Sequence, residues 1–241
     1  MIRTLLTFLF AAIGLVTVMP PLILYSLIVG NVHLMYRVFV RACHLALRIA
    51  GIHVRAEGLE NIPAGTCVFA SNHCSNLDPC AFVTVTPKQI ALIAKKEVFR
   101  IPILSKAIRM GGLIPIDRAN RDAAAESVDQ AIDSLKRGLS FCIFAEGTRS
   151  RDGRLQPFKR GAFVMAIRAQ VPVVPVALAG TQKLMRKGDW KLYPGEVVVR
   201  FGKPLDGAAF TFDQRQQLTE AVHSAVAALL PPDQQPIART Q

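Results

Sequence analysis

Apolar positions fall into three regimes along the chain. In the first, Thr4 to Tyr36, no charged residue occurs between Arg3 and Arg37. A bilayer core takes about 20 apolar residues as helix, so one span fits. The run exceeds the roughly 7–15 apolar residues of a cleaved signal peptide, and Pro20-Pro21 interrupts it. The pieces on either side of the prolines are each too short for a complete span. That leaves a kinked single span, a helical hairpin dipping into one leaflet or, less in keeping with the run, a buried core helix.

In the second regime, Arg37, Arg41, His44 and Arg48 recur on one stripe of a helix. Leu34, Met35, Val38, Phe39, Leu45, Leu47 and Ile49 cover most of the rest. A basic stripe on an apolar helix suits the headgroup layer of an anionic leaflet. The arginine excess after the apolar run places that side in the cytoplasm.

From about residue 52 short β-branched runs alternate with helical patterns. Residues 67–70, 91–94, 113–116, 141–144, 173–178 and 197–201 read as buried strands. Residues 122–137 carry a helical stripe at 124, 125, 128, 131, 132 and 135, preceded by Asn120-Arg121-Asp122 and stopped by Gly138. Residues 161–170 and 213–230 are further helices. The pattern predicts an α/β fold, a mixed sheet flanked by helices, with an N-terminal hydrophobic membrane-anchoring helical segment. The expected organisation is an anchor over 1–50, one catalytic domain over 51–230 and a disordered tail over 231–241.

Composition changes the picture by adding charge. The 241 residues carry a net charge of +12, yet 51% are hydrophobic and the mean hydropathy is +0.32. Such hydrophobicity excludes a disordered chain and leaves a globular domain that favours polyanions, either nucleic acid or an anionic membrane. The excess has two centres, +4 in residues 1–51 and +11 in residues 95–203. Nucleic acid is disfavoured, because no nucleic-acid motif is recognisable and aromatics make up only 7%. Cys43, Cys67, Cys74, Cys80 and Cys142 form an odd set without CxxC, which argues against a disulfide framework or a zinc site and fits a reducing compartment.

Three loops directly after strands carry candidate chemistry. The first, Asn72-His73-Cys74-Ser75-Asn76-Leu77-Asp78, lets Asp78 hold one imidazole nitrogen of His73 if the intervening segment turns into a helix, leaving the other free as a base. The second, Gly112 to Arg118, delivers an Asp-Arg pair where ligand crevices of α/β sheets lie. The third is Phe144-Ala145-Glu146-Gly147-Thr148-Arg149-Ser150. There Gly147 permits a tight turn, Arg149 offers a planar fork for phosphate and Glu146 can orient that fork. Singly, each loop is more often a capped turn or a surface ion pair, and an isolated HxxxxD more often a satisfied structural histidine. A further segment, Lys183 to Tyr193, sets Trp190 and Tyr193 among lysines. It suits a membrane interface, an acidic carrier protein or plain solvent.

Together and in this order the blocks resemble the glycerolipid acyltransferase family, most closely its bacterial lysophosphatidic acid acyltransferases. The NHxxxxD pattern matches at Asn72, His73 and Asp78, the GxIxIDR-like block at Gly112 through Arg118, and the FPEGTRS block at Phe144 through Ser150. A proline-bearing apolar strand matches at Val171 through Pro175. Ala145 stands where the family usually has proline, which should loosen the turn before Glu146. Pro115 stands where an aromatic or aliphatic residue is usual.

The resemblance implies a membrane-bound enzyme of phospholipid biosynthesis. It would transfer an acyl chain from acyl-CoA or acyl carrier protein to the sn-2 hydroxyl of 1-acyl-glycerol 3-phosphate. Another lyso-lipid, such as a lyso-ornithine lipid, or glycerol 3-phosphate are the alternative acceptors. His73 and Asp78 are then the catalytic pair. Arg149, with Glu146, Gly147 and Thr148, clamps the acceptor phosphate, and Arg118 and Lys95 are further cations. No metal or organic cofactor is expected, and the implied location is the cell inner membrane with the catalytic domain on its cytoplasmic side.

Overall fold

The computed structural model describes residues 1–116 and 121–237. Helix α1 (Ile2–Ile13) runs through a single π-helical turn at Gly14–Val18 into α2 (Met19–Val29). The π turn lies just ahead of Pro20 and Pro21, which lack the N–H groups that an α-helical ladder would need there. The prolines therefore do not break the run. Ile2–Val29 is one helix of 28 residues, long and apolar enough to cross a membrane.

Gly30, at φ +68°, ends α2, and α3 (His33–Ala50) returns along it. Met35, Cys43, Leu47 and Ala50 face inward on α3, whereas Arg37, Arg41, His44 and Arg48 are all exposed. The N-terminal end of α1 is fastened to the body, where Thr4 Oγ1 accepts the Leu192 N–H at 3.1 Å. The segment is thus a hairpin, and its returning helix is tied to the body as well, where Tyr36 Oη accepts the Ile90 N–H at 3.3 Å.

The body is a seven-stranded sheet in the order β1-β7-β6-β2-β5-β3-β4. The strands are β1 (Ile52–Glu57), β2 (Val68–Ser71), β3 (Ile90–Lys95), β4 (Ile114–Ile116), β5 (Ser140–Phe144), β6 (Val173–Ala179) and β7 (Gly195–Phe201). Only β6 and β7 pair antiparallel, so β1 and β7 run opposite to the other five. Alternate residues of β2, β3, β5 and β6 feed two cores. Phe69, Cys142, Val174 and Val199 pack against α3 and α4 (Asp78–Val85). Val68, Phe141, Val173 and Ala177 face α6 (Arg121–Lys136), α7 (Val164–Ala169) and α9 (Arg215–Leu229) on the other side. Two shorter helices, α5 (Pro102–Met110) and α8 (Thr181–Leu184), complete the set described.

This is the expected α/β layering, although α4, α5 and α8 were not anticipated and two other segments differ from expectation. Ile52–Glu57, not expected as a strand, forms the edge beside β7. Within residues 231–237, Gln234 is 2% exposed and anchored rather than frayed: its Oε1 accepts the Gly180 N–H at 3.1 Å and its carbonyl accepts the Leu155 N–H at 2.9 Å. Residues 238–241 lie outside the described residues.

Candidate active site

β2 and β5 are adjacent parallel strands, with Ser71 level with Phe144. Their following loops therefore leave the sheet side by side at its carboxyl edge, the usual place for a crevice in such folds. The first loop starts from Asn72, which is wholly buried. Its Nδ2 donates to Leu178 O at 2.9 Å and its Oδ1 accepts the Leu178 N–H at 2.8 Å. A side-chain amide here takes the place of a peptide group and joins the end of β2 to β6.

His73 follows, with 17% of its side chain exposed. Its Nδ1 lies 2.7 Å from Asp78 Oδ2. A carboxylate accepts, so Nδ1 carries the proton and Nε2 keeps a lone pair. The same Oδ2 accepts the N–H groups of Cys74 at 2.7 Å and Ser75 at 2.8 Å. The intervening segment is a loop rather than the expected helix. Asp78 itself opens α4, with Pro79 behind it, and reaches back over the loop. The His73 ring also stacks on Phe144, centroids 4.2 Å apart, which fixes its plane from the neighbouring strand.

The second loop turns sharply. Gly147, at φ +76°, donates its N–H to Phe144 O at 3.0 Å. Ala145 donates its N–H to Ser71 O at 3.1 Å, extending the β2–β5 pairing by one residue. A proline lacks that N–H, so alanine tightens this turn instead of loosening it. Glu146 differs further from expectation. It is 2% exposed and its Oε1 accepts the His73 N–H at 3.0 Å, so it braces the His73 loop and does not orient Arg149. Burial raises its pKa to about 8, Asp78 and Asp152 push the same way, and the His73 N–H pulls against them.

Thr148 is exposed and Arg149 half-buried. Among the described residues Arg149 has no acidic partner. Its carbonyl accepts from Lys187 Nζ at 2.5 Å, and the next residue, Ser150, donates its N–H to His73 O at 2.7 Å. The loops of His73 and Arg149 are thereby bonded to each other. Lys95, at the carboxyl end of β3, is exposed with its Nζ 3.5 Å from Glu97 Oε1, a pair on the rim. Arg118 lies outside the described residues.

Cys74 and Ser75 are buried. The Cys74 thiol is pushed well up by burial, and Ser75 Oγ donates to Met185 O at 2.8 Å. Neither is presented as a nucleophile. A cavity of about 720 Å3 beside Phe144 and Gly147 has an apolar floor of Ile93, Ile116 and Met165, with Lys159 and Arg160 at its lip. That pair was not anticipated. Its signal, adjacent cations in Pro157-Phe158-Lys159-Arg160-Gly161, was legible, but nothing in the sequence brought it beside Phe144. A larger opening of about 900 Å3 lies between residues 152–158 and α9, and neither cavity is lined by His73 or Asp78. Among the described residues no group of three or more His, Cys, Asp or Glu is arranged to hold a metal.

A histidine held by a carboxylate stands next to an arginine-bearing turn on a three-layer α/β fold, and the comparisons give the class. The acyltransferase family model matches residues 53–179, from β1 to the end of β6, and the chain belongs to that family. Among its relatives, 1-acyl-sn-glycerol-3-phosphate acyltransferase of Limnanthes douglasii is 34% identical over 197 residues, 81% of this chain and 70% of that protein. The human 1-acyl-sn-glycerol-3-phosphate acyltransferase alpha is 33% identical over 178 residues, 73% of this chain and 63% of that one. The crystal structure of PlsC, the 1-acyl-sn-glycerophosphate (LPA) acyltransferase from Thermotoga maritima, matches with a TM-score of 0.79 at 29% identity over 95% of each chain.

Proposed function

We propose that this acyltransferase moves a fatty acyl chain from an acyl thioester, acyl-CoA or acyl carrier protein, to the sn-2 hydroxyl of 1-acylglycerol 3-phosphate, giving phosphatidic acid. The observation that carries this reading is the bond between the two loops. It puts a free imidazole nitrogen and an unpaired arginine at one carboxyl edge of the sheet, which suits a hydroxyl and a phosphate on one small molecule. The names of the relatives supply the acceptor.

In the reaction, the acceptor O–H gives its proton to His73 Nε2 as its oxygen attacks the thioester carbonyl carbon. Asp78 holds Nδ1–H and stabilises the imidazolium. Collapse of the tetrahedral intermediate breaks the C–S bond, and the proton passes from His73 to the leaving thiolate. A base of this kind gives about 10²–10⁴-fold, so positioning supplies much of the remainder. Arg149, with Gly147 and Thr148, receives the phosphate, and Lys95 and Arg118 add positive charge to the rim. The step needs neither metal nor organic cofactor, since the thioester is already activated and the base is in place.

The enzyme works at a membrane, anchored through the hairpin. Four exposed groups, Arg37, Arg41, His44 and Arg48, line the returning helix. They are costly in hydrocarbon and suited to headgroups, which favours insertion into one leaflet, on the cytoplasmic side of the inner membrane. The positive charge thus serves lipid and phosphate, not nucleic acid. The test is an acceptor panel under one radiolabelled acyl thioester. Phosphatidic acid from 1-acylglycerol 3-phosphate supports the reading; product only from glycerol 3-phosphate or a lyso-ornithine lipid, or free fatty acid alone, overturns it.

A further inference from the structure

The segment Met185–Pro194 has no role in the chemistry above, yet it connects the site to the hairpin. At one end Met185 O accepts from Ser75 Oγ, and Lys187 Nζ donates to Arg149 O. At the other end Leu192 exchanges hydrogen bonds with Thr4 Oγ1, and the Trp190 ring lies 6.5 Å from that of Phe8. Between these ties the outer side of the segment is bare. Trp190 is 46% exposed and Tyr193 45%. Arg186 and Lys191 are exposed and form no ion pair among the described residues. The bare side continues directly into Leu5, Phe8 and Leu9 of α1, themselves between 44% and 57% exposed.

We propose that residues 186–193 form a second membrane contact, seated in the headgroup layer of an anionic leaflet beside the hairpin. This rests on the reading of the chain as membrane-anchored. Three observations select lipid as the occupant. The patch is contiguous with the apolar face of α1, so whatever solvates that face reaches Trp190 as well. Trp and Tyr, apolar in body and polar at one edge, favour the membrane–water boundary. The two cations, Arg186 and Lys191, without an ion pair among the described residues, match anionic headgroups. The consequence for the enzyme is positional. Since the same segment holds the Arg149 carbonyl, its depth in the headgroup layer sets the height at which the arginine meets a phosphate in the bilayer.

Trp190 is the single tryptophan of the chain, so the unaltered full-length protein carries its own probe. The experiment is to reconstitute it into vesicles of phosphatidylcholine and phosphatidylglycerol, and to measure Trp190 emission. In parallel preparations the phosphatidylcholine is brominated either near its ester groups or near its methyl ends. Strong quenching by the shallow label, weaker quenching by the deep one and protection from aqueous iodide are expected. Emission quenched by neither lipid and open to iodide, in protein that floats with the vesicles, overturns the second contact and leaves the anchoring intact. If added acidic acyl carrier protein then shields Trp190 from iodide, the surface belongs to the carrier. Protein that fails to float overturns the anchoring and this contact with it.

Discussion

Glu146 accepts the backbone N–H of His73 at 3.0 Å from a position that is 2% exposed. The two belong to loops that follow neighbouring strands, so the carboxyl of one motif fixes the main chain of the other. Part of the third block therefore supports the loop of His73, while Gly147 to Arg149 remain at least partly exposed.

That burial gives stability a pH dependence with a definite sign. The Glu146 carboxyl has a pKa of about 8 in the fold against an ordinary 4.5. Between these values the folded state holds a proton that the unfolded chain has lost. Its contribution is full below pH 4.5, declines as pH rises and is gone above about 8. Glu146→Gln keeps an oxygen for the His73 N–H and removes the titration. The variant should flatten the fall in stability over that window, by an amount on the order of a few kcal/mol. Denaturant midpoints of the two proteins, taken from pH 5 to 9, make the check; parallel profiles refute it.

His73→Ala should lose transfer by about 10²–10⁴-fold or more while leaving the circular dichroism spectrum and melting temperature near those of the parent. Its ring is at the mouth of the site, and the backbone bonds of His73 remain. An active variant would remove the assignment of the base.

Asp78→Asn should cost both rate and stability. One oxygen of Asp78 accepts from His73 Nδ1, Cys74 N and Ser75 N. The amide oxygen accepts these bonds without the charge that strengthens them, and hydrogen bonds to charged groups contribute about 1.5–3 kcal/mol each. A lower melting temperature together with a lower kcat is expected. An unchanged kcat would show that the imidazole needs no carboxylate.

Arg149→Ala should raise KM for the phosphorylated acceptor steeply, with kcat less affected, because it removes a fork that no acidic side chain among the described residues occupies. The comparison acceptor is the unphosphorylated monoacylglycerol, whose slow turnover should be indifferent to the change. Equal KM for the phosphorylated acceptor in both proteins sinks the clamp.

Gly147→Ala should destabilise the turn. At φ +76° an L-residue costs about 1–2 kcal/mol, and the added Cβ would sit 3.3 Å from Lys159 Cγ. A melting temperature lowered by a few degrees is the readout; an unchanged value would mean that the turn re-forms without strain.

Much of this architecture was legible because burial on both faces leaves continuous apolar runs, which is how β2, β5 and β6 announce themselves. β1 did not. Ile52-His53-Val54-Arg55-Ala56-Glu57 alternates as an edge strand, with only β7 to pair with, and it lacks such a run. α4 was hidden for the opposite reason, since Ala81-Phe82-Val83-Thr84-Val85 reads as strand until its packing is known. In the site, His73 and Asp78 were visible as a local pair. The partner of Glu146 was not, because it is set by the alignment of β2 with β5, a relationship 73 positions apart. Trp190 and Tyr193 could be singled out from their lysine-rich surroundings. The contacts of Trp190 with Phe8 and of Leu192 with Thr4 required the folded chain.

The amide of Asn72 makes a side chain serve as one rung of the sheet, bridging β2 to β6 at Leu178. The main chain is thereby released to turn outward one residue before His73, and the loop inherits its placement from a strand it never joins. A change of register or of packing along β6, remote from any substrate, is thus transmitted to the imidazole as a displacement of its hinge. Errors in the interior of this enzyme will be felt as errors of aim.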